Sequence, residues 1–298
     1  MPLISPPPGD FHASFQLTAG TLYVVATPIG HLRDITLRAL DVLKAVTMIA
    51  AEDTRHTGRL LFHYGIKTRL VSYHDHNEKE RTPYLIGQLL EGHTVALVSD
   101  AGTPTVSDPG YVLIQQAVKS GIPVTPIPGA SSVSAALSIS GLTAKEYLFI
   151  GFLEKKTAAQ ARQIKALAGE PRTLIFFESP RRVLSLVQTL IPLFGDREAV
   201  LCRELTKHHE EVLRGQLSHI EEELSARFDV KGECTLLVSG AKSSPELPVE
   251  DLKGILSNRM SLPGASLSQV VKEVTESFGL PKRRVYEEAL RIKDDRNA

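Results

Sequence analysis

The chain holds 298 residues, with 34 Lys and Arg against 34 Asp and Glu, a formal net charge of zero, 42% apolar residues and 23% charged ones. That length fits two compact domains or a large one with an appendage, and the composition excludes wholesale disorder. Neutrality excludes coating by nucleic acid through bulk charge, although not through a local basic patch. Two cysteines, Cys202 and Cys234, are too few for a disulfide framework or a zinc ribbon and suit a reducing compartment. No apolar run reaches the ~18–20 residues that span a bilayer, and the first residues lack a signal-peptide pattern. These features predict a cytoplasmic protein without a membrane partner.

Residues 1–18, with Pro6-Pro-Pro8, read as a flexible N-terminal arm. A strand at Leu22–Ala26 stops at Thr27-Pro28-Ile29-Gly30, and a helical pattern from Ile35 to Val46 follows, with Asp34 or Thr36 as its cap. Met48–Ala51 is a second short strand, ending in Glu52-Asp53-Thr54-Arg55. Helical patterns at Leu60–Phe62 and Tyr84–Leu90 flank a strand at Arg69–Ser72 and the polar run Tyr73–Glu80, a candidate mobile lid. Val95–Val98 reads as a strand buried on both faces. After it come a Gly/Pro-rich loop, a helix near Val112–Lys119, a strand at Val124–Ile127 and a small-residue helix at Ser131–Ser138. This alternation predicts an N-terminal α/β lobe with a mostly parallel sheet over residues 19–143.

From Tyr147 the strands lie closer together in sequence, at Tyr147–Phe152, Thr173–Phe177, Ala199–Arg203, Glu210–Arg214 and Cys234–Ser239, with helices at Ala158–Leu167, Arg181–Leu190 and Leu217–Arg227. They predict a second α/β lobe with a mixed sheet over residues 144–241. Lys242–Pro248 reads as a linker. Two helical patterns separated by Phe278-Gly-Leu-Pro281 predict a helix-turn-helix-like appendage over 249–293.

Gly/Pro-rich loops close three strands of the first lobe: Thr27–Gly30, Ser99–Gly110 and Pro128–Ser132. Ligands of open α/β sheets bind beyond the carboxyl ends of strands, where such turns expose backbone groups. Any one of them fits equally well as a tight turn between packed elements; three together favour a ligand crevice. Asp100, directly after a strand, suits hydrogen bonds from ribose hydroxyls or a ligand amine. No G-x-G-x-x-G or P-loop pattern is present.

Several stretches carry a resemblance: Leu22–Gly30 with Leu32 and Asp34-Ile-Thr36, Ala51–Arg55, Val98–Pro104, Ser107–Gly110, Pro128–Ser132, Phe176–Pro180, and Arg203–Lys207 with Glu210-Glu211. In this order they resemble the ribosomal RNA small subunit methyltransferase I family of the tetrapyrrole methylase superfamily, over residues 20 to about 290. His31 departs from the family's usual Asn. The resemblance implies a two-lobed tetrapyrrole-methylase-like fold of mostly parallel and mixed-sheet lobes with S-adenosylmethionine in the cleft. It implies methyl transfer to the ribose 2′-hydroxyl of a decoding-centre cytidine in 16S rRNA, within the small ribosomal subunit, by a homodimer. Carried over, it assigns donor binding to Thr27, Pro28, Ile29, Gly30, Asp100, Ala101, Gly102, Thr103, Ser131, Ser132, Phe177, Glu233 and Cys234.

A ribose hydroxyl is a weak nucleophile at neutral pH, so a base or electrostatic aid is expected. Asp53, Glu178 and Glu204 are candidate bases, and Arg55, Arg203 and Lys207 are candidates for holding phosphate or a developing alkoxide. Asp53–Arg55 and Arg203–Glu204 fit equally as ion pairs bracing turns. His74, His76, His208 and His209 read as solvated loop residues, so no metal is expected. Competing readings are a small-molecule tetrapyrrole methyltransferase on the same fold and a non-enzymatic RNA-binding module. Lys282-Arg-Arg284 fits a solvated face or a phosphate contact.

Overall fold

The computed structural model describes residues 16–154, 157–241, 249–262, 265–278, 280 and 282–297. The N-terminal arm, apart from its last three residues, and the 242–248 linker fall outside them.

In the first lobe the elements run β1 (Leu22–Val25), a short 3-10 helix (Leu32–Asp34), α1 (Leu37–Ala45), β2 (Met48–Ala51), α2 (Thr54–His63), β3 (Arg69–Ser72), α3 (Glu78–Leu90), β4 (Val95–Val98), α4 (Tyr111–Lys119), β5 (Val124–Ile127) and α5 (Ser132–Ser140). Every pair of neighbouring strands is parallel, in the order β3-β2-β4-β1-β5. Strand side chains alternate between faces, which explains the continuous apolar runs. Val25, Ile49, Ala51, Ala96 and Val98 join α1 and α2 in one core layer. Leu22, Met48, Ala50, Val95 and Leu97 join α3 and α4 in the other. Thr36, rather than Asp34, caps α1, its side chain accepting from the Ala39 N–H.

The polar run 73–80, read from sequence as a candidate lid, is a packed turn that leads into a helix. Tyr73 is fully buried and shares a hydroxyl hydrogen bond of 2.9 Å with Thr82. Asn77 closes the turn, its Oδ1 accepting from the His74 N–H at 2.8 Å, and α3 begins at Glu78.

The second lobe runs β6 (Tyr147–Phe152), α6 (Thr157–Ala166), β7 (Thr173–Glu178), α7 (Pro180–Phe194), β8 (Glu198–Arg203), β9 (Glu211–Gln216), α8 (Leu217–Ser225) and β10 (Cys234–Val238). Its sheet, ordered β6-β7-β10-β8-β9, is parallel only between β6 and β7. One face is covered by α6, α7 and α8. The other receives α5: Val133, Ala136 and Leu137 pack with Ile175, Val200 and Leu237. By placing its last helix on the second sheet, the first lobe makes residues up to Gly240 one compact unit.

Residues from Ala241 form a separate unit of three helices, α9 (Val249–Met260), α10 (Leu267–Phe278) and α11 (Lys282–Asn297), around Leu256, Val271, Val274, Val285 and Ala289. The sequence showed two of them. In α9 the buried Leu252 and Leu256 are one turn apart, among Asp251, Lys253 and Gly254, too sparse a stripe to read. Arg283 in the basic cluster is paired with Glu287 at 2.8 Å.

Candidate functional site

Loops from four strand ends of the first lobe are stitched together. Thr27 and Gly102 exchange backbone hydrogen bonds of 2.9 and 3.0 Å, and the Thr103 hydroxyl donates to the Ala130 carbonyl at 3.4 Å. Asp100 Oδ1 accepts from the Asp53 N–H at 3.0 Å, and Glu52 Oε2 accepts from the Asp100 N–H at 3.3 Å. Opposite them, the antiparallel register places Cys234, which starts β10, beside Glu178 and Arg203, which end β7 and β8. The lobes thus face each other with strand-end loops.

Between them lie two adjoining cavities. The first, about 380 Å³, is lined by Ile29, Asp100, Ala101, Gly102, Thr103, Ser131 and Ser132 from one lobe and Phe177, Glu178, Glu233 and Cys234 from the other. Its wall carries five carboxylates, those of Glu52, Asp100, Asp108, Glu178 and Glu233, and no Lys, Arg or His. Burial raises the Asp108 pKa to about 6, and neighbouring Glu52 and Asp100 add to the rise. Burial likewise raises Glu52. Glu178 is 2% exposed. Its Oε1 accepts from the Ser179 N–H at 2.7 Å and pairs with Arg182, whereas its Oε2 is buried without a partner. Such an orphaned acceptor needs an N–H or O–H from a bound molecule. Ser131 caps α5 by position but makes no side-chain capping bond. Cys202 and Cys234 stand in the same wall with thiols pushed by burial to about 11, too high for a thiolate nucleophile at neutral pH.

The second cavity, about 300 Å³, is lined by Thr27, Pro28, Ile29 and Gly30, by Leu32, His56, Arg59 and Leu60, and by Lys207. Ile29, Asp100, Ala101 and Glu233 line both. Lys207 Nζ bridges Glu204 at 2.9 Å and Glu233 at 3.2 Å. Burial opposes its charge, but the two carboxylates outweigh burial and raise its pKa. The Thr27–Gly30 turn is held against this loop by the His31 N–H donating to Thr206 Oγ1 at 3.0 Å. At Gly30 a Cβ would fall 2.5 Å from Lys207 Cγ and 2.9 Å from the Leu205 carbonyl. Only glycine allows that approach.

Strained backbone collects at the same place. Thr105, Ser107, Glu204 and Thr206 have φ of 72°, 69°, 53° and 64°, a left-handed conformation costing on the order of 1–3 kcal/mol each.

Of the thirteen sequence-assigned donor residues ten line the first cavity, whereas Thr27, Pro28 and Gly30 line the second alone and are set apart from the others. Of the catalytic candidates, Glu178 lines the first and Lys207 the second. Asp53, Arg55, Arg203 and Glu204 line neither. Asp53 caps α2 and accepts from Arg55 with both oxygens, and the Arg55 guanidinium and backbone N–H hold its carboxyl far below the usual range. Arg203 pairs with Glu211 at 2.9 Å, and Glu211 also binds Arg227. Glu204 packs under Gly232 and accepts from the Glu233 N–H at 3.0 Å. Sequence reasoning missed Glu52, Asp108, His56 and Arg59. The first two lay inside quoted motifs; the last two follow on α2, outside any motif. Among the described residues no cluster of His, Cys, Asp and Glu could hold a metal ion.

A parallel sheet and a mixed sheet facing across a cleft of strand-end loops make a fold of the tetrapyrrole methylase type, and the sequence places the chain in that class of methyltransferases. The family described as Tetrapyrrole (Corrin/Porphyrin) Methylases matches residues 21–221. Solved structures agree in fold. The methyltransferase CobJ is similar at TM-score 0.58 and 18% identity, over 75% of this chain and 95% of that one. Uroporphyrin-III C-methyl transferase from Thermus thermophilus, complexed with S-adenyl homocysteine, is similar at TM-score 0.53 and 21% identity, over 74% and 97%. Sequence relatives narrow the class. Ribosomal RNA small subunit methyltransferase I of Micromonospora olivasterospora is 46% identical over 91% of this chain and 86% of its own length. The enzyme of that name from Escherichia coli O157:H7 is 43% identical over 94% and 98%. The chain belongs to the ribosomal RNA small subunit methyltransferase I family.

Proposed function

We propose that this chain transfers a methyl group from S-adenosylmethionine to the ribose 2′-hydroxyl of a decoding-centre cytidine in 16S rRNA. The difference in charge between the two adjoining cavities carries the reading: carboxylates are the only charged groups lining the first, whereas in the second Arg59 and Lys207 balance Asp100 and Glu233. S-adenosylmethionine supplies a methyl group on a cationic sulfonium and bears a second cation on its amine, which suits a cavity walled by carboxylates. RNA is a polyanion, which suits a cavity edged by His56, Arg59 and Lys207. The relatives' names supply the ribosomal substrate.

In this reading Glu178 Oε2 accepts a donor N–H or O–H, and the uncapped start of α5 offers N–H groups to the donor carboxylate. Orientation of acceptor and donor across the shared wall contributes about 7–11 kcal/mol of barrier lowering. Asp100 and Glu233 are the titratable side chains lining both cavities. They are therefore better placed than Asp53 or Glu204 to take the hydroxyl proton, and Lys207 stands ready to offset charge developing on the oxygen. The same proposal includes a homodimer acting on the small ribosomal subunit. Among the described residues no helix is long and apolar enough to cross a membrane.

Two measurements test it. Calorimetry with S-adenosylmethionine is expected to show one site per chain; no binding overturns any methyltransferase reading. Mapping ribose methylation in 16S rRNA from a deletion strain is expected to show loss at a decoding-centre cytidine. Unchanged methylation there overturns the substrate assignment.

A further inference from the structure

The second cavity opens beside a helix face whose composition the methyl-transfer chemistry does not require. On α2 the side chains of Arg55, His56, Arg59, Phe62 and His63 are exposed, whereas Thr57, Leu60 and Leu61 are buried. No acidic residue interrupts the helix. Arg59 has no hydrogen-bond or ion-pair partner among the described residues, although it lines the cavity. Arg55, clamped by Asp53, keeps its side chain 86% exposed. One turn beyond Arg59, Phe62 is 88% exposed. Cations and an aromatic ring on one face, continuous with a cavity, are the parts of a single-stranded nucleic acid platform: charge tracks phosphates and the ring takes a base.

We propose that the exposed face of α2 is the docking ridge for single-stranded RNA next to the acceptor nucleotide. Arg55 and Arg59 bind phosphates, Phe62 stacks on a base, and Arg59 with His56 leads the strand into the second cavity. The proposal rests on the reading of that cavity as the acceptor site. A second copy of the chain is a poorer occupant, because a two-fold contact through this face sets Arg59 and Arg55 against their like-charged equivalents.

The test uses full-length wild-type, Arg59→Ala and Phe62→Ala proteins. Fluorescence anisotropy with labelled oligocytidine RNA is run over a salt series, with S-adenosylmethionine calorimetry and sedimentation in parallel. Arg59→Ala is expected to weaken RNA binding and to flatten the log–log salt slope by about 0.7, the value for one lost single-strand phosphate contact. Phe62→Ala is expected to weaken it about 5- to 100-fold with the slope unchanged, as for loss of one stacked base. Donor affinity stays at the wild-type value in both. Wild-type RNA affinity in both variants overturns the ridge, as does a wild-type protein that does not bind the RNA. A Phe62→Ala protein that changes oligomeric state while keeping RNA affinity assigns the face to a second copy instead and also overturns it. Absence of donor binding by the wild type is a different result, and sinks the methyltransferase reading beneath the proposal.

Discussion

Two adjoining cavities that share Ile29, Asp100, Ala101 and Glu233 differ in charge. The first is walled by five carboxylates without a cation, the second is edged by His56, Arg59 and Lys207, and Asp100 and Glu233 stand on the boundary. The difference arises from which elements contribute. Glu52, Asp100 and Glu178 stand at the carboxyl ends of β2, β4 and β7, whereas the cations come from α2 and from the strained loop after β8. In the proposed reading, one cleft thus offers an acidic side to a cationic donor and a side with exposed cations to an anionic acceptor.

The largest expected effect comes from closing the second cavity while leaving the first open. Gly30→Val drives a side chain into Lys207, Thr206 and the Leu205 carbonyl. Displacing the turn by about 1 Å is expected to lower turnover on the order of 100-fold. Donor affinity by calorimetry should stay within about twofold, because Gly30 does not line the first cavity. A parallel collapse of donor affinity would show that the cavities are not separable.

At the shared wall, Asp100→Ala removes a carboxylate that both cavities see and strips the Asp53 N–H of its acceptor. Donor affinity is expected to fall by about 1–3 kcal/mol, and turnover at saturating donor should fall as well. An unchanged dissociation constant would remove Asp100 from the donor site. Glu178→Gln sharpens the comparison from the other side. The buried pair with Arg182 loses its charge, and an amide N–H now stands where an acceptor is needed. We expect about 10-fold weaker donor binding with RNA affinity untouched.

Much of this was legible in the sequence. Strands β1, β2 and β4 are apolar runs that stop at Gly, Pro or carboxylate residues, so both the strands and the loops beyond them could be read. Helix starts in polar sequence could not: α3 begins among Glu78, Lys79 and Glu80 and contains Pro83, so its first turn looked like loop. β9 was placed one residue early and two residues short, because Glu211–Gln216 is half-exposed and lacks a clean alternation. What joins the lobes was out of reach, since the bond from His31 to Thr206 spans 175 residues. Asp53 and Arg203 sit in the motifs beside site residues, and only geometry separates a cap and a brace from a wall of the cavity.

The smallest effect expected follows from the charge of the first cavity itself. Asp108 has its folded pKa raised from 3.8 to about 6, chiefly by burial. A raised carboxyl pKa means the folded state holds the proton more tightly than the unfolded one. The associated stability is complete below pH 3.8 and is lost as pH rises to about 6. Above that, the ionised Asp108 destabilises the lobe, by about 1–3 kcal/mol when screening is allowed for. Asp108→Asn should therefore melt about 2–6 °C above the wild type at pH 8, with the gap closing at pH 4. Donor binding should move the opposite way, because the wild type gains a carboxylate for the cationic donor as pH passes 6 and the variant does not. Calorimetry at pH 5.5 and 7.5 would show the wild-type affinity rising more than that of the variant. Equal pH profiles would mean that Asp108 lines the cavity without contributing to its field.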